Sequence, residues 1–439
     1  MTPVATMKSA SMNTSPLSAI VSCLSDYDPN AMTVPQAQQI IHAFVEPIAA
    51  AEQVAIRSAL DRVLAQDIVS ALDVPANDNS AMDGYALRGD DLAQGFPLQL
   101  RIVASVHAGQ RYDGQVQAGE CVRIMTGAAM PGDCDTVIAQ EFTSNQDNGS
   151  ITIAAAGVRR GDNRRLRGED LRCGQIALRA GKMLRPADIG MLASLGVPEV
   201  AVQRRLRVAF FSTGDELRSV GEALAPGCVY DSNRYTLFGM LSRLGCDLID
   251  MGVVKDDPVA MEAAFRSACE HADAVITSGG VSVGDADYTK ATMTKLGDML
   301  FWKIGMRPGR PMAFGRIASQ GRSAYLFGLP GNPVAVMISF YFVVREALLR
   351  MMGTSAAPLP RLQAVSLSPI RKKPGRTEYQ RGILAPDSDG IWKVRLTGAQ
   401  GSGILRSMSD ANCIIVLDDA QSNVVVGDTV QVVLFDGLV

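Results

Sequence analysis

Residues 277 to 290 read TSGGVSVGDADYTK, with Gly279, Gly280 and Gly284 in one short run and Asp285 and Asp287 directly behind them. Successive backbone N–H groups in such a run make a nest for phosphate, yet carboxylates repel the same anion. The span from Gly279 to Gly284 has the GxxxxG spacing, but Asp285 stands where a Walker loop needs Lys and Ala286 where it needs Ser or Thr. It is therefore not a P-loop, and it does not read GxGxxG either. Two alternatives remain open: an anion cradle, or a tight strand-to-helix turn capped by Asp285 or Asp287. A divalent ion bridging carboxylate and phosphate would remove the conflict.

Further acids stand in comparable stretches: Asp215 and Glu216 in STGDE, Asp256 and Asp257 in KDDP. Oxygen ligands from several loops suit Mg²⁺, which keeps waters and shares its substrate's phosphate; singly, each is equally a solvated loop acid or helix cap. Lys303, Arg307 and Arg310 in FWKIGMRPGRPMAFG alternate with Gly and Pro. They form either a surface charge run or an anion clamp, since Arg offers bidentate donors to phosphate-like oxygens. The run RRGDNRRLRGED from Arg159 to Asp170 mixes both signs and reads as a solvated loop. Asp83 in NSAMDGYALR sits in a Met-Asp-Gly turn that a hairpin or bulge explains as well as a substrate contact does, and Thr126 in RIMTGAAMP is equally undecided.

These residues need elements to position them. Helical spacing interrupted by Pro47 predicts two helices between Val34 and Ala65. Short β-type runs at 98–106, 121–125, 136–142 and 150–154 predict a small β-rich domain. From Arg205 strand and helix alternate, the signature of a parallel sheet covered by helices. In such sheets ligands gather beyond the carboxyl ends of the strands, which selects the loops 212–216, 255–258, 277–288 and 328–333. An apolar helix is predicted over 334–352, and after Pro360 the pattern returns to strands in a small barrel or sandwich. The expected boundaries are an N-terminal tail to residue 30, a helical linker at 31–67 and 155–200, a β-rich insertion at 68–154, an α/β domain at 201–356 and a β-barrel at 357–439.

Composition narrows the function. The 439 residues exceed one ordinary core, and 47% hydrophobic with 20% charged content describes a globular chain. A net charge of −3 argues against a general nucleic-acid binder. The apolar run 334–344 is shorter than the roughly 20 residues a bilayer span needs, and the first 30 residues carry no secretory pattern. Eight scattered cysteines without CxxC indicate neither a disulfide framework nor a zinc knuckle and fit a reducing cytoplasm. With three histidines, at 42, 107 and 271, chemistry here rests on carboxylates, Lys/Arg and a hard metal.

NSAMDGYA, RIMTGA, RLRGED, FSTGDEL, DSNRYTL, TSGGVSVGDADYTK, FGLPGNPVA and GSGILRSMSDANC occur in that order. Together they closely resemble the molybdopterin molybdenumtransferase family (MoeA and the gephyrin E domain), from about residue 33 to the C-terminus. The resemblance implies a multidomain α/β fold: a three-layer MogA-like molybdopterin-binding domain, a helical linker, an inserted β-rich domain and a C-terminal β-barrel, in a homodimer. It implies insertion of molybdate into adenylylated molybdopterin with Mg²⁺ and release of AMP. By motif, Glu216, Asp256 and Asp287 match cleft acids and metal ligands, and Lys303 a basic catalytic position. Ser278, Gly279, Gly280, Ser282, Arg307, Pro330, Pro333 and Ser402 match the substrate cleft. Asp83 and Thr126 match residues that reach the partner subunit's cleft, and Arg165 and Asp170 match the family's Arg-rich, substrate-binding loop. Arg307 and Arg310 stand where many members have Lys, and Asp285 where many have Glu. Contacts with a molybdopterin adenylyltransferase and with recipient apoenzymes are the implied partnerships. Two rivals are weighed: a molybdopterin adenylyltransferase, against which the flanking domains count, and a gephyrin-like scaffold without turnover, against which the acidic cleft counts.

Overall fold

In the computed structural model, residues 17–22, 28–30, 32–146, 148–155, 157–280, 287–354 and 358–438 are described, apart from the side chains of Ser18, Ser22, Asp287 and Tyr288. The chain divides into two compact units, one of 53–60 and 64–201, the other of 1–52, 61–63 and 202–439.

The first unit is built on a six-stranded sheet in the order 136–139, 84–87, 120–124, 98–106, 150–153, 143–145. Its strands alternate sides. Tyr85, Leu87, Cys121 and Ile138 fill one core, while Ala86, Val122, Ile124 and Val137 fill the other, as period-2 patterning requires. Gly84 is obligatory there, because a Cβ would stand 1.9 Å from the Ile138 carbonyl oxygen.

The other unit contains a six-stranded sheet: β1 (Arg207–Thr213), β2 (Asp247–Val254), β3 (Ala274–Ser278), β4 (Gly297–Lys303), β5 (Pro311–Ser319) and β6 (Arg322–Leu329), in the order β2-β1-β3-β6-β5-β4. β2, β1, β3 and β6 run parallel. β5 is antiparallel to both neighbours, so the sheet is mixed and not wholly parallel as expected. The cause is the tight Gln320-Gly321 turn, with φ of +49° and +75°, which joins β5 to β6 as a hairpin. Helices α1 (Ser232–Arg243), α2 (Pro258–His271), α3 (Asp287–Leu296) and α4 (Pro333–Ser339) complete the layers. Ala209, Phe211 and Val275 pack under Met261, Phe265 and Met293 of α2 and α3, with the Phe211 and Phe265 rings 5.3 Å apart. The helix predicted over 334–352 runs from α4 through a π-helical turn at Phe340–Val344 into Arg345–Met351.

C-terminally, β7 (Leu362–Ser366), β8 (Thr377–Pro386), β9 (Trp392–Leu396), β10 (Cys413–Leu417) and β11 (Thr429–Leu434) close into a barrel through the β8–β10 pairing.

Two further expectations are corrected. Only one α-helix, Val34–Phe44, lies between Val34 and Ala65; a strand at Ala51–Ala55 and a 3-10 turn at Ile56–Ser58 replace the second. The first helix has the stronger local signal, a Thr33/Gln36 capping box with Pro35 in its first turn. The expected N-terminal tail includes a helix, Leu17–Ser22, whose Leu17 is buried and donates its N–H to Asp298 Oδ2 at 2.8 Å.

Candidate active site

β1, β2, β3, β4 and β6 all end on the same edge of their sheet, and the described residues of the sequence-selected loops sit there. Two left-handed glycines follow β3, with φ of +95° at Gly279 and +71° at Gly280. A Cβ on Gly279 would lie 2.5 Å from the Thr213 carbonyl oxygen at the end of β1, so the close approach of β1 and the loop requires glycine. Asn233, buried on α1, ties this loop to the one after β6. Its Nδ2 donates to Ser278 Oγ at 2.7 Å and to the Gly331 carbonyl at 2.6 Å. Ser212 Oγ donates to Asp231 Oδ1 at 3.0 Å, and Asp231 also accepts the Arg234 N–H as the cap of α1. Thr213 Oγ1, Thr277 Oγ1 and Asn233 Oδ1 are buried at this edge without a hydrogen-bond partner among the described residues. Buried polar atoms are ordinarily paired, so these three have hydrogen-bonding capacity left for a water or a polar ligand.

Beside the glycines, the loop after β4 and the barrel form a cleft of 460 Å³ lined by Arg307, Arg310, Arg376, Asn332, Gln400 and Ser402, with Pro308, Pro330 and Pro311 as rigid walls. The Ile304 N–H to the Arg310 carbonyl at 2.7 Å closes the loop, and Met306–Arg307 pairs in parallel with Thr377–Glu378 of the barrel. Ser402 is fixed through its carbonyl, which accepts the Val334 N–H of α4 at 3.0 Å. Behind the cleft Arg381 is buried, donating to Ser407 Oγ at 3.0 Å and to the Gly401 carbonyl at 3.1 Å; burial pushes its guanidinium down to about 10. Three arginines with Asn332 and Ser402 therefore line one cavity, a set that suits an oxyanion, while the Gln400 amide is held by the Arg381 backbone, accepting its N–H at 2.7 Å and donating to its carbonyl at 3.2 Å.

The acids are less uniform. Asp257 is a helix cap, its Oδ1 accepting the Val259 and Ala260 N–H groups at 3.1 and 2.8 Å. The Asp256 N–H donates to Asp215 Oδ1 at 3.4 Å, which joins the loops after β1 and β2. Glu216 is exposed, with its carboxylate folded over Gly214. Among the described residues no three His, Cys, Asp or Glu side chains gather as a metal-holding group. Ser282, Gly284 and Asp285 lie outside the described residues, as does the side chain of Asp287. Glu216, Asp256 and Lys303 stand on the same edge but do not line the arginine cleft.

Asp83, Thr126, Arg165 and Asp170 belong to the first unit. Asp83 Oδ1 accepts both the Thr126 N–H and hydroxyl at 2.7 Å, so two separate motifs form one contact rather than a hairpin turn. These bonds, from the amide and then the hydroxyl, hold the Asp83 carboxyl below its ordinary value. The arginine run is not simply solvated: Arg164 pairs with Asp78, and Arg167 Nε lies 2.5 Å from Asp73 Oδ2. Exposed Arg165 lies in register with Asn79. The Asp170 N–H donates to the Val74 carbonyl at 3.1 Å. The residues not singled out from the sequence are Asn233, Thr213, Arg376 and Gln400. DSNRYTL carried a signal for the first; Arg376 and Gln400 had none beyond composition.

Fold and site define a protein with an α/β domain of molybdopterin-binding type, and the comparisons agree. Residues 209–350 match the family model described as "Probable molybdopterin binding domain". Residues 32–196 match the MoeA N-terminal region (domain I and II), and 363–435 the MoeA C-terminal region (domain IV). A molybdopterin molybdenumtransferase of Haemophilus influenzae is 40% identical over 388 residues, covering 88% of this chain and 94% of its own. One from Nostoc sp. is 37% identical, covering 83% and 84%. The crystal structure of the molybdopterin biosynthesis moeA protein from Pyrococcus horikoshii OT3 superposes with a TM-score of 0.78 at 28% identity, covering 92% of this chain and 100% of that one. The chain belongs to the molybdopterin molybdenumtransferase (MoeA) family.

Proposed function

We propose that this protein inserts molybdate into adenylylated molybdopterin, releasing AMP and molybdenum cofactor, as a cytoplasmic homodimer. The observation that carries the reading is the cleft at the sheet's carboxyl edge. Arg307, Arg310 and Arg376 face it, beside the Gly279–Gly280 turn and buried, unpartnered Thr213, Thr277 and Asn233 oxygens. The arginines bind the oxyanion and phosphate oxygens, the glycine turn brings backbone amides close, and the buried hydroxyl and amide oxygens meet the polar face of the pterin. Fixed cations in a partly enclosed site offset charge developing on the transferring oxygens without reorganisation.

The carboxylates at this edge are hard oxygen donors and fit a divalent cation in kind. Glu216, Asp256 and Asp287 would hold Mg²⁺, which when bound would neutralise pyrophosphate charge next to the acids. In the dimer, Asp83 and Thr126 would serve the partner's cleft, and Arg165 and Asp170 of the arginine-rich loop would bind substrate. Adenylyltransferase and apoenzyme contacts would deliver substrate and receive product. The test is direct: purified protein is incubated with adenylylated molybdopterin, Mg²⁺ and molybdate. AMP release with formation of active cofactor is expected. A folded protein that releases no AMP, or that instead adenylylates molybdopterin from ATP, would contradict the proposal.

A further inference from the structure

Glu378 is fully buried at 0% exposure on β8, directly behind the arginine cleft. A buried carboxylate persists only when charges or donors compensate it, and its partners here are informative. Arg376 Nε donates to Oε1 at 3.0 Å, with Arg376 Nη2 also at 3.0 Å. Gln380 Nε2 donates to Oε2 at 3.0 Å. Arg307 Nη1 stands 3.8 Å from the same Oε2, and the Arg307 backbone is in register with that of Glu378. Both arginines line the cleft, and their side chains remain 55% (Arg307) and 42% (Arg376) exposed while the carboxylate does not. One buried anion therefore holds Arg376 by close contacts at 3.0 Å and pairs electrostatically with Arg307 at 3.8 Å, while both side chains stay partly exposed. The arginines come from different elements, the loop after β4 and the entry to β8, and this carboxylate lies within ion-pair reach of both.

We infer that Glu378 is a positioning residue that fixes the aim of Arg307 and Arg376 toward the molybdate oxyanion; this rests on the functional reading above. Glu378 touches no substrate. A planar guanidinium held on one edge keeps its other donors in fixed directions, and Gln at 378 would retain an acceptor oxygen but not the charge that grips two cations.

The test is a double-mutant cycle of Glu378→Gln and Arg376→Met in AMP release, with molybdate and adenylylated molybdopterin each varied at saturation of the other. Each single variant is expected to raise the KM for molybdate about tenfold, as losing a charge-assisted contact does, with kcat nearly kept. The double variant is expected to be no worse than Glu378→Gln alone, because that change already misaims Arg376 along with Arg307. Thermal melting confirms folding, and Glu378→Asp, which keeps the charge, replaces Glu378→Gln if the latter does not fold, with a smaller rise in KM expected. An unchanged molybdate KM in a folded Glu378 variant, an equal loss for both substrates, or multiplicative effects in the cycle would overturn the inference. Wild-type protein that released no AMP would instead defeat the functional reading, so the two failures are distinguishable.

Discussion

At the carboxyl edge of the β1–β6 sheet, cationic tips are free toward a cavity while the groups behind them are buried and bonded. Glu378 grips Arg376, Asn233 bridges two loops, and Arg381 anchors the Gly401 strap. In the first unit the charges satisfy one another at the surface: Asp83 takes both Thr126 donors, Arg164 takes Asp78 and Arg167 takes Asp73. The contrast separates a site made rigid from within from one made rigid by its own surface contacts. Disturbing the buried groups behind the first should affect ligand binding and fold together, whereas removing one of its exposed tips should affect binding alone. Disturbing the second should affect function with little loss of stability, since exposed ion pairs contribute little.

The largest expected effect is at Gly279. Gly279→Ala forces a side chain into a left-handed position and against the Thr213 carbonyl. Cofactor formation should fall roughly a hundredfold, the scale of an ångström-level misplacement. Near-normal activity would mean that the glycine turn is not part of the site. Next comes Arg310→Ala: this exposed arginine lines the cleft, and its loss should raise the KM for molybdate about tenfold while the melting temperature stays unchanged. A melting shift without a KM shift would reverse the contrast drawn here.

Asp83→Asn tests the other region. The variant should fold with only a small loss of stability at neutral pH, yet fail to restore a molybdoenzyme in a strain lacking this gene. The pH dependence follows from the sign of the shift. The folded Asp83 carboxyl titrates below its unfolded value, so its stabilisation is complete above the unfolded carboxylate pKa, about 4. It is lost as pH falls through the folded value. Comparing wild type with Asp83→Asn by melting below and above that pH should show a difference only in the upper range. The smallest effect belongs to Asp257→Ala, which removes the cap of α2. It should cost about 1 kcal/mol in chemical denaturation with AMP release unaffected; lost activity would put Asp257 among the catalytic acids.

Much of this was legible in the sequence. Strand and helix alternation after Arg205 gave the α/β layers, and the carboxyl-edge rule selected loops that do converge, because parallel order places strand ends together. β5 was misread in direction, since a two-residue turn outweighs the alternation pattern around it. The second helix before Ala65 failed because helical spacing over so short a run does not nucleate a helix without packing or caps. In the site, Arg307, Pro330 and Ser402 were found by motif and share one cleft. Arg376 and Glu378 were not: an i, i+2 pair at the start of a strand has no chemical signature until the barrel closes and buries one member against the loop after β4. Asp83 and Thr126 stand far apart in sequence, and only strand pairing brings them to one bond.

The account rests on oxyanion binding in the cleft of Arg307, Arg310 and Arg376. Crystals soaked in molybdate, with anomalous differences collected at the molybdenum edge, test it most directly. The account predicts a peak between these arginines and Ser402. A peak only in the hollow lined by Asn79, Arg111 and Gly127 of the first unit, or none in the cleft of active protein, would contradict it.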